Sequence, residues 1–498
     1  NQRISHSLGS APGMIWMKCT SGTRDWFCYH RSLGKDKYFK LNDGGAAANA
    51  TNGWGTSEPD ATEFGFNAYE FGLSTGSTYV AYLFAHNDQS YGEEGDQSII
   101  KCGTFNKNSG ANVDVDLGWE PQFLWTTMYE GPSSRGLVDN MRGFMPDQNG
   151  KFLKAEVTNP ENNTTTRLIS AKGFSQGGDN GNWIYMAIRF PDGYVGKPPE
   201  LGTDVFAMDT GNGSANGPAF DSNFAVDFTI SKRPSSNVYW ITTARLLETW
   251  LKLNTTDAAG SLSSYERYDF SKGVHQQYTS SNQAWMWKRH AGFDVVIYDG
   301  RQGGATVMNL NHNLGVIPEM IIIKKRNNNG MWAIYHKGVN GGTNPEQYMM
   351  QIDTNGQEDQ PTFMNDTAPT ATVFTVGSMS SVNDSGDNYI ATLFSSIEGI
   401  SKVGSYTGTG NSSQYINVGF GIRFLMIKRT DSSGDWMVFD SLRGFGNSGT
   451  NDSILRWNKP DAATSSNVIN LGSQTFNLLT SDTNLNASGG KYIYYAHN

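Results

Sequence analysis

Tyr79-Val80-Ala81-Tyr82-Leu83-Phe84 is the stretch on which the fold of this chain turns. It sets large apolar side chains on both faces of an extended segment and contains no Gly, Pro or charge. Similar segments return as Trp183-Ile184-Tyr185-Met186-Ala187-Ile188, Trp285-Met286-Trp287, Tyr389-Ile390-Ala391-Thr392-Leu393-Phe394 and Tyr492-Ile493-Tyr494-Tyr495. They begin at residues 79, 183, 285, 389 and 492, a period of 102 to 104 residues along the whole chain. So regular a period marks a tandem array. It divides the 498 residues into five repeats, 1–97, 98–202, 203–292, 293–398 and 399–498, each near a common domain size.

Working outward from the closing strand, each repeat reads as short strands separated by turns. An opening strand leads into Gly-rich turns, as in Ile99 to Gly103, Val295 to Gly300 and Ile400 to Gly404. An apolar-Gly pair follows (Leu117-Gly118, Leu314-Gly315, Val418-Gly419), then a turn, often with Pro. A short apolar run then ends in a cation: Met14 to Lys18, Met320 to Lys324, Phe424 to Lys428. Such runs, bounded by turns, predict strands covered on both faces. A polar hairpin joins each to a return strand, Trp26 to His30, Trp332 to His336 and Trp436 to Asp440. A further strand and an Asn/Asp turn are expected at Leu253 to Asp257 and Trp457 to Asp461, and a Phe-centred strand at Val373 to Gly377. The sum predicts an all-β chain of five tandem β-sandwiches, with no convincing helical period. The third repeat diverges, and the first begins at Leu8-Gly9 without an opening strand, so the chain is expected to begin inside a module. The closing strands bury one face in their own sandwich; the other needs a neighbouring repeat or another chain. The segment from Tyr194 to Gly202 is the expected joint in an otherwise stiff array.

Composition agrees. Gly is 57 of 498, charged residues are 17% and aromatics 12%, which suits β-structure with polar loops and opposes disorder. A net charge of −9 without a basic patch makes nucleic acid and anionic membrane poor partners. No stretch of eighteen apolar residues exists, so no membrane-spanning helix is expected. Cys19, Cys28 and Cys102 are too few for a disulfide scaffold. Cys19 and Cys28 flank a hairpin and could bridge, while separate buried thiols are the simpler expectation.

Chemistry-bearing patterns are sparse. A retaining glycosidase needs two carboxylates about 5 Å apart, and no Glu-x-aliphatic-Asp-x-x-Glu strand is present. Glu93, Glu94 and Asp96 lie in a loop, and Asp60, Glu63 and Glu70 are scattered. His30 and His336 occupy equivalent places in two repeats, as do His86 and His497; such recurrence points to structure rather than catalysis. No Ser/His/Asp or Cys/His pattern stands out. Asn383, Asp384 and Asp387, and separately Asp88, Glu93, Glu94 and Asp96, are weak calcium candidates, since hard cations take several oxygens, but solvated turns are the better reading of both groups. Trp54, Trp119 and Trp457 sit near predicted loops, where each is either a platform for a sugar or a covered core residue.

The residues Leu8 to Pro12, Met14 to Lys18, Trp26 to Gly34 and Tyr79 to Asn87 together resemble a repeat module of structural proteins of marine tailed bacteriophages, cyanophages among them. The resemblance is strong in the first, fourth and fifth repeats and weaker in the second and third. It implies concanavalin-A-like, laminin-G-like or jelly-roll sandwiches in a tail fibre or other external virion appendage. It offers no catalytic motif and no cofactor. Its implied partners are other virion proteins, a host-surface glycan and, by analogy with phage fibres, two further copies in a trimer. The expected function is non-enzymatic host attachment by multivalent loop contacts. The alternatives are a purely structural filament or capsid-decorating protein and a secreted carbohydrate-active enzyme.

Overall fold

The computed structural model describes residues 2–498 except 73–75, 88–89, 92–94, 143–149, 165, 190–197, 215–216, 248, 262–266, 269, 277–279, 302–306, 354 and 447–448. Strand makes up 43% and helix 3% of it, and the sheets are antiparallel, so the molecule is all-β. Among the described residues the one α-helix is the single turn Pro361–Met364.

The fourth repeat shows the plan. Its large sheet runs in the order Phe293–Asp299, Asn388–Phe394, Met320–Lys325, Trp332–His336, Tyr348–Gln351, Glu358–Asp359. A two-stranded sheet, Met308–Asn311 with Val373–Val376, lies against it. Alternate residues point to opposite faces of a strand. Ile321, Ile323, Ala333, Tyr335, Tyr389, Ala391 and Leu393 therefore turn inward and meet Met308, Leu310, Phe374 and Val376 of the small sheet in one core. The fifth repeat copies this order, with Ser401–Thr407, Lys491–His497, Phe424–Arg429, Met437–Asp440, Asp452–Arg456 and Thr464–Ser466 over a three-stranded sheet. The second repeat has the same two-sheet plan. The third keeps the large sheet, but opposite it, among the described residues, isolated bridges such as Phe220 to Val274 take the place of a small sheet. Among the described residues of the first, no opening strand is paired and the sheet ends at Tyr79–Phe84.

The chain divides into two compact units, Asn1–Tyr194 and Val195–Asn498. The first holds the large sheets of the first two repeats, the second those of the other three. Of the expected joint, residues 194–197 lie outside the described residues, and Gly202–Asp204 forms a 3-10 turn.

Two sequence expectations need correction. Gly103 and Gly404 do not begin turns; they sit inside the longer strands Ile100–Lys107 and Ser401–Thr407. They face Tyr185 and Tyr494, whose phenol groups stand where a Cβ would go, so these positions have no room for a side chain. The strands expected at Leu253 and Trp457 end just before them, at Thr249–Lys252 and Asp452–Arg456, and the Asn/Asp residues that follow form the turn.

Candidate functional site

Every large sheet has a second apolar face, and what covers it is the most constant feature of the molecule. In the second unit three sheets turn these faces toward one another. Phe206 of the third repeat meets Phe424 of the fifth at 5.7 Å between ring centroids, Phe228 of the third meets Phe293 of the fourth at 5.8 Å, and Phe394 of the fourth meets Tyr495 of the fifth at 5.0 Å. Each sheet thus touches both others, and such offset or edge contacts add to the burial of the rings.

The rim of this core repeats the same polar device three times. The indole N–H of Trp240 donates to the Arg456 carbonyl at 2.8 Å, that of Trp332 to the Lys252 carbonyl at 3.1 Å, and that of Trp436 to the Gln351 carbonyl at 2.8 Å. The third repeat donates to the fifth, the fifth to the fourth and the fourth to the third, so the cycle closes within one chain. The lysine that ends each apolar run follows the same circuit. Lys232 donates to the Pro460 carbonyl at 2.7 Å, Lys324 to that of Thr256 at 3.0 Å and Lys428 to that of Asp353 at 3.3 Å. Each ammonium also holds its own hairpin, at Val238, Gly330 and Gly434. Burial lowers the pKa of all three to about 8. Buried donors are tolerable here because carbonyls accept them.

A third layer differs from junction to junction. Arg289 pairs with Asp294 at 2.6 Å, both almost fully buried, between the third and fourth repeats. His336 meets the Tyr494 carbonyl at 3.4 Å between the fourth and fifth. The Trp285 indole donates to Asp440 at 3.1 Å between the third and fifth.

The first unit contains one junction of this kind. Arg135 stands where the other repeats have the donor tryptophan, and its Nε donates to the Lys40 carbonyl at 3.0 Å. Its side chain lies over the Phe39 ring, which stacks on Trp125 at 5.2 Å. His30 meets the Tyr185 carbonyl at 3.0 Å, the counterpart of His336 and Tyr494. Both histidines are therefore fittings of a repeated junction. Sequence reasoning singled out the histidines and noted the lysines, but not the indole ring or Arg135. The recurrence of Trp26, Trp332 and Trp436 at the head of the return strand was the available signal.

The other candidates fall as follows. Trp54 is fully buried, edge-on to Tyr29 and Phe71, with its N–H on the Lys37 carbonyl at 3.0 Å. Trp457 is 2% exposed and stacks on Trp436. Neither offers a face to a sugar, because core formation takes both rings. Trp119 is half-buried, packed on the core of the second repeat beneath the Arg189 guanidinium. Among the described residues the aromatic rings that do stand exposed are Tyr69 (85%), Tyr415 (69%), Tyr82 (49%) and Tyr239 (48%). Asp384 and Asp387 are brought together, with the Lys325 ammonium 3.7 Å from the first and 2.5 Å from the second. Burial alone would raise the pKa of Asp387, but Lys325 and Asn328 outweigh it and hold the carboxyl below the usual range. The side chain of Asn383 is spent on the Gly377 carbonyl and the Arg301 amide. Asp88, Glu93 and Glu94 lie outside the described residues. Among the described residues no group of three or more His, Cys, Asp or Glu is placed to hold a metal ion. Asp60 and Glu63 come together only on Arg3, which binds both.

Cys19, Cys28 and Cys102 are free and buried. Cys28 lies opposite Trp16, whereas Cys19 lies opposite Tyr79, so the hairpin register separates the two thiols. Buried carboxylates are likewise satisfied by structure: Asp227 by Arg245, Asp440 by Arg443, and Asp452 by the amides of Gly446, Val468 and Ile469. Such paired groups serve packing.

No curated protein matches the sequence. A family profile described as a domain of unknown function, DUF7483, matches residues 1–93 and 278–498, more than half of the chain. The stretch between them holds the second repeat and most of the third, the two that depart furthest from the common pattern. The chain belongs to that family of unknown function.

Proposed function

We propose that this chain is a non-enzymatic component of a phage virion appendage of tail-fibre type, which holds β-sandwich modules rigidly and attaches to a host surface through their loops. The observation that carries this reading is the repeated junction. Tryptophan, lysine and histidine, which an enzyme would gather in one irregular pocket, are here placed at equivalent positions of successive repeats and spent on joining them. The phage assignment is supported by the resemblance of the repeat string to marine phage structural modules. Attachment is multivalent in this reading, with weak loop contacts adding through a stiff scaffold.

A purely structural role in a filament or on a capsid is the second reading. It is favoured by the burial of Trp54 and Trp457, which removes two sugar platforms. Homo-oligomerisation, proposed by analogy with phage fibres, has to use other surfaces than the apolar faces already engaged in the second unit. Immunogold electron microscopy of the source particles, with antibody raised to residues 293–498, separates the readings. Label on tail appendages or their tips supports attachment; label over the shell or along a filament supports the structural role; particles without label overturn both.

A further inference from the structure

In four of the five large sheets the closing strand is paired on both sides. Asn388–Phe394, for example, lies between Met320–Lys325 and the opening strand Phe293–Asp299. In the first repeat Tyr79–Phe84 pairs with Met14–Cys19 alone, and among the described residues its other edge meets no strand. Beside that edge the sandwich gapes. A cavity of about 1000 Å³ runs between the two sheets, lined by Ile4, Phe64 and Phe66 on one side and Tyr79, Ala81 and Leu83 on the other. These are inward-facing core positions, and the corresponding residues Tyr389, Ala391 and Leu393 of the fourth repeat are fully buried.

The other repeats show what fills this seat. In the fourth, Tyr298 of the opening strand stacks on Tyr389 at 5.1 Å and 13°, and Val296 sits opposite Ala391. In the fifth, Tyr406 stacks on Tyr492 at 4.9 Å and 10°, and Gly404 sits opposite Tyr494. In the second, Phe105 lies parallel to Trp183 at 6.1 Å, and Gly103 sits opposite Tyr185. The rule is a matched pair of sizes. In these three repeats Tyr on the closing strand faces Gly on the opening strand, Ala faces Val, and an aromatic two residues on stacks upon the first ring; the third repeat, where Ala284 faces Asp209, departs from this. The first repeat carries Tyr79 and Ala81, the pairing of the fourth.

We infer that the free edge of Tyr79–Phe84 is an acceptor for one added polypeptide strand. The strand lies antiparallel to it, with an aliphatic side chain opposite Ala81 and an aromatic ring on Tyr79, and it closes the first sandwich. The opening strands of the other four repeats are engaged in their own sheets, so none of them is free to supply it. Its backbone pairs with an unpaired edge, which gives affinity, and its inward side chains fill shaped places, which gives specificity.

The probe is a synthetic peptide with the sequence Phe293 to Asp299, added to the full chain, with a scrambled peptide as control. Expected are saturable one-to-one binding by fluorescence anisotropy and slowed amide exchange at residues 79–84. A second peptide, Ser401 to Thr407, carries Gly in place of the critical Val. Ala81→Tyr is expected to weaken the first peptide about tenfold and to strengthen the second, reversing their order. No saturable binding overturns the inference. So does binding without protection at 79–84, which would mean that the peptide has replaced a strand elsewhere. So also does Ala81→Tyr leaving the order of the peptides unchanged.

Discussion

A buried hydrogen bond costs more to break than it contributes when made, because the abandoned partner stays desolvated. Trp436 is fully buried, and its indole is the donor to the Gln351 carbonyl. Trp436→Phe is expected to keep the packing but orphan that carbonyl, lowering stability by about 1–3 kcal/mol in urea unfolding. Trp26, which heads the same strand in the first repeat, is only half-buried beside Tyr82, so Trp26→Phe is expected to change stability by less than about 0.5 kcal/mol. The histidines give a pH signature. Burial lowers the pKa of His30 to about 4 and of His336 and His497 to about 3, against 6.5 in an open chain. Below about 6.5 the unfolded chain binds protons that the folded chain refuses. Their contribution is therefore complete above about pH 6.5 and is lost as pH falls toward 4 and then 3, at roughly 1.4 kcal/mol per ring per pH unit. His336→Gln is expected to flatten the decline of the urea midpoint between pH 6.5 and 4.5, measured against the parent chain. That His30 and His336 are structural was legible from their recurrence, whereas His497 stands where the first repeat has Phe84 rather than His86. That Trp54 and Trp457 are core was not, because a tryptophan near a turn has the same local sequence whether a neighbour covers it or not.

At the scale of elements, strands were read well because period 2 and flanking turns are local properties. The return strands Trp26–His30 and Trp332–His336 coincide with their expected bounds. The glycines inside the opening strands were misread as turns, since what excludes a side chain there is a tyrosine about eighty to ninety residues away in sequence. The size pairing across these strands can be exchanged. Gly404→Val alone is expected to collide with Tyr494 and cost about 1–3 kcal/mol. Adding Tyr494→Ala, which recreates the Val296 and Ala391 pair of the fourth repeat, is expected to restore roughly half of the loss, read as a coupling in a double-mutant cycle. An additive result would show that the two positions do not pack on one another.

At the scale of the molecule, each unit is expected to fold alone, since each has its own closed contacts. Residues 195–498 should unfold cooperatively by calorimetry. Removing residues 399–498 from that fragment breaks two of the three junctions and exposes Phe206, Phe394 and their neighbours, which the fifth repeat covers. The fragment 195–398 is therefore expected to aggregate, or to melt well below 195–498, in size-exclusion and thermal-unfolding experiments. A fragment 195–398 as stable as 195–498 would mean that the ring contributes little.

Sequence alone determined that the chain is all-β, where its strands recur, and that the closing strands are apolar on both faces, because alternation, turn chemistry and period are written in neighbouring residues. Only the tertiary structure decided what covers the second face and that three repeats close a ring while two share one junction. Those outcomes rest on contacts between residues as far apart as Trp240 and Arg456, 216 positions along the chain. The free energy of burying a face depends on which partner reaches it, and the local pattern of a strand is the same whether that partner is present or not.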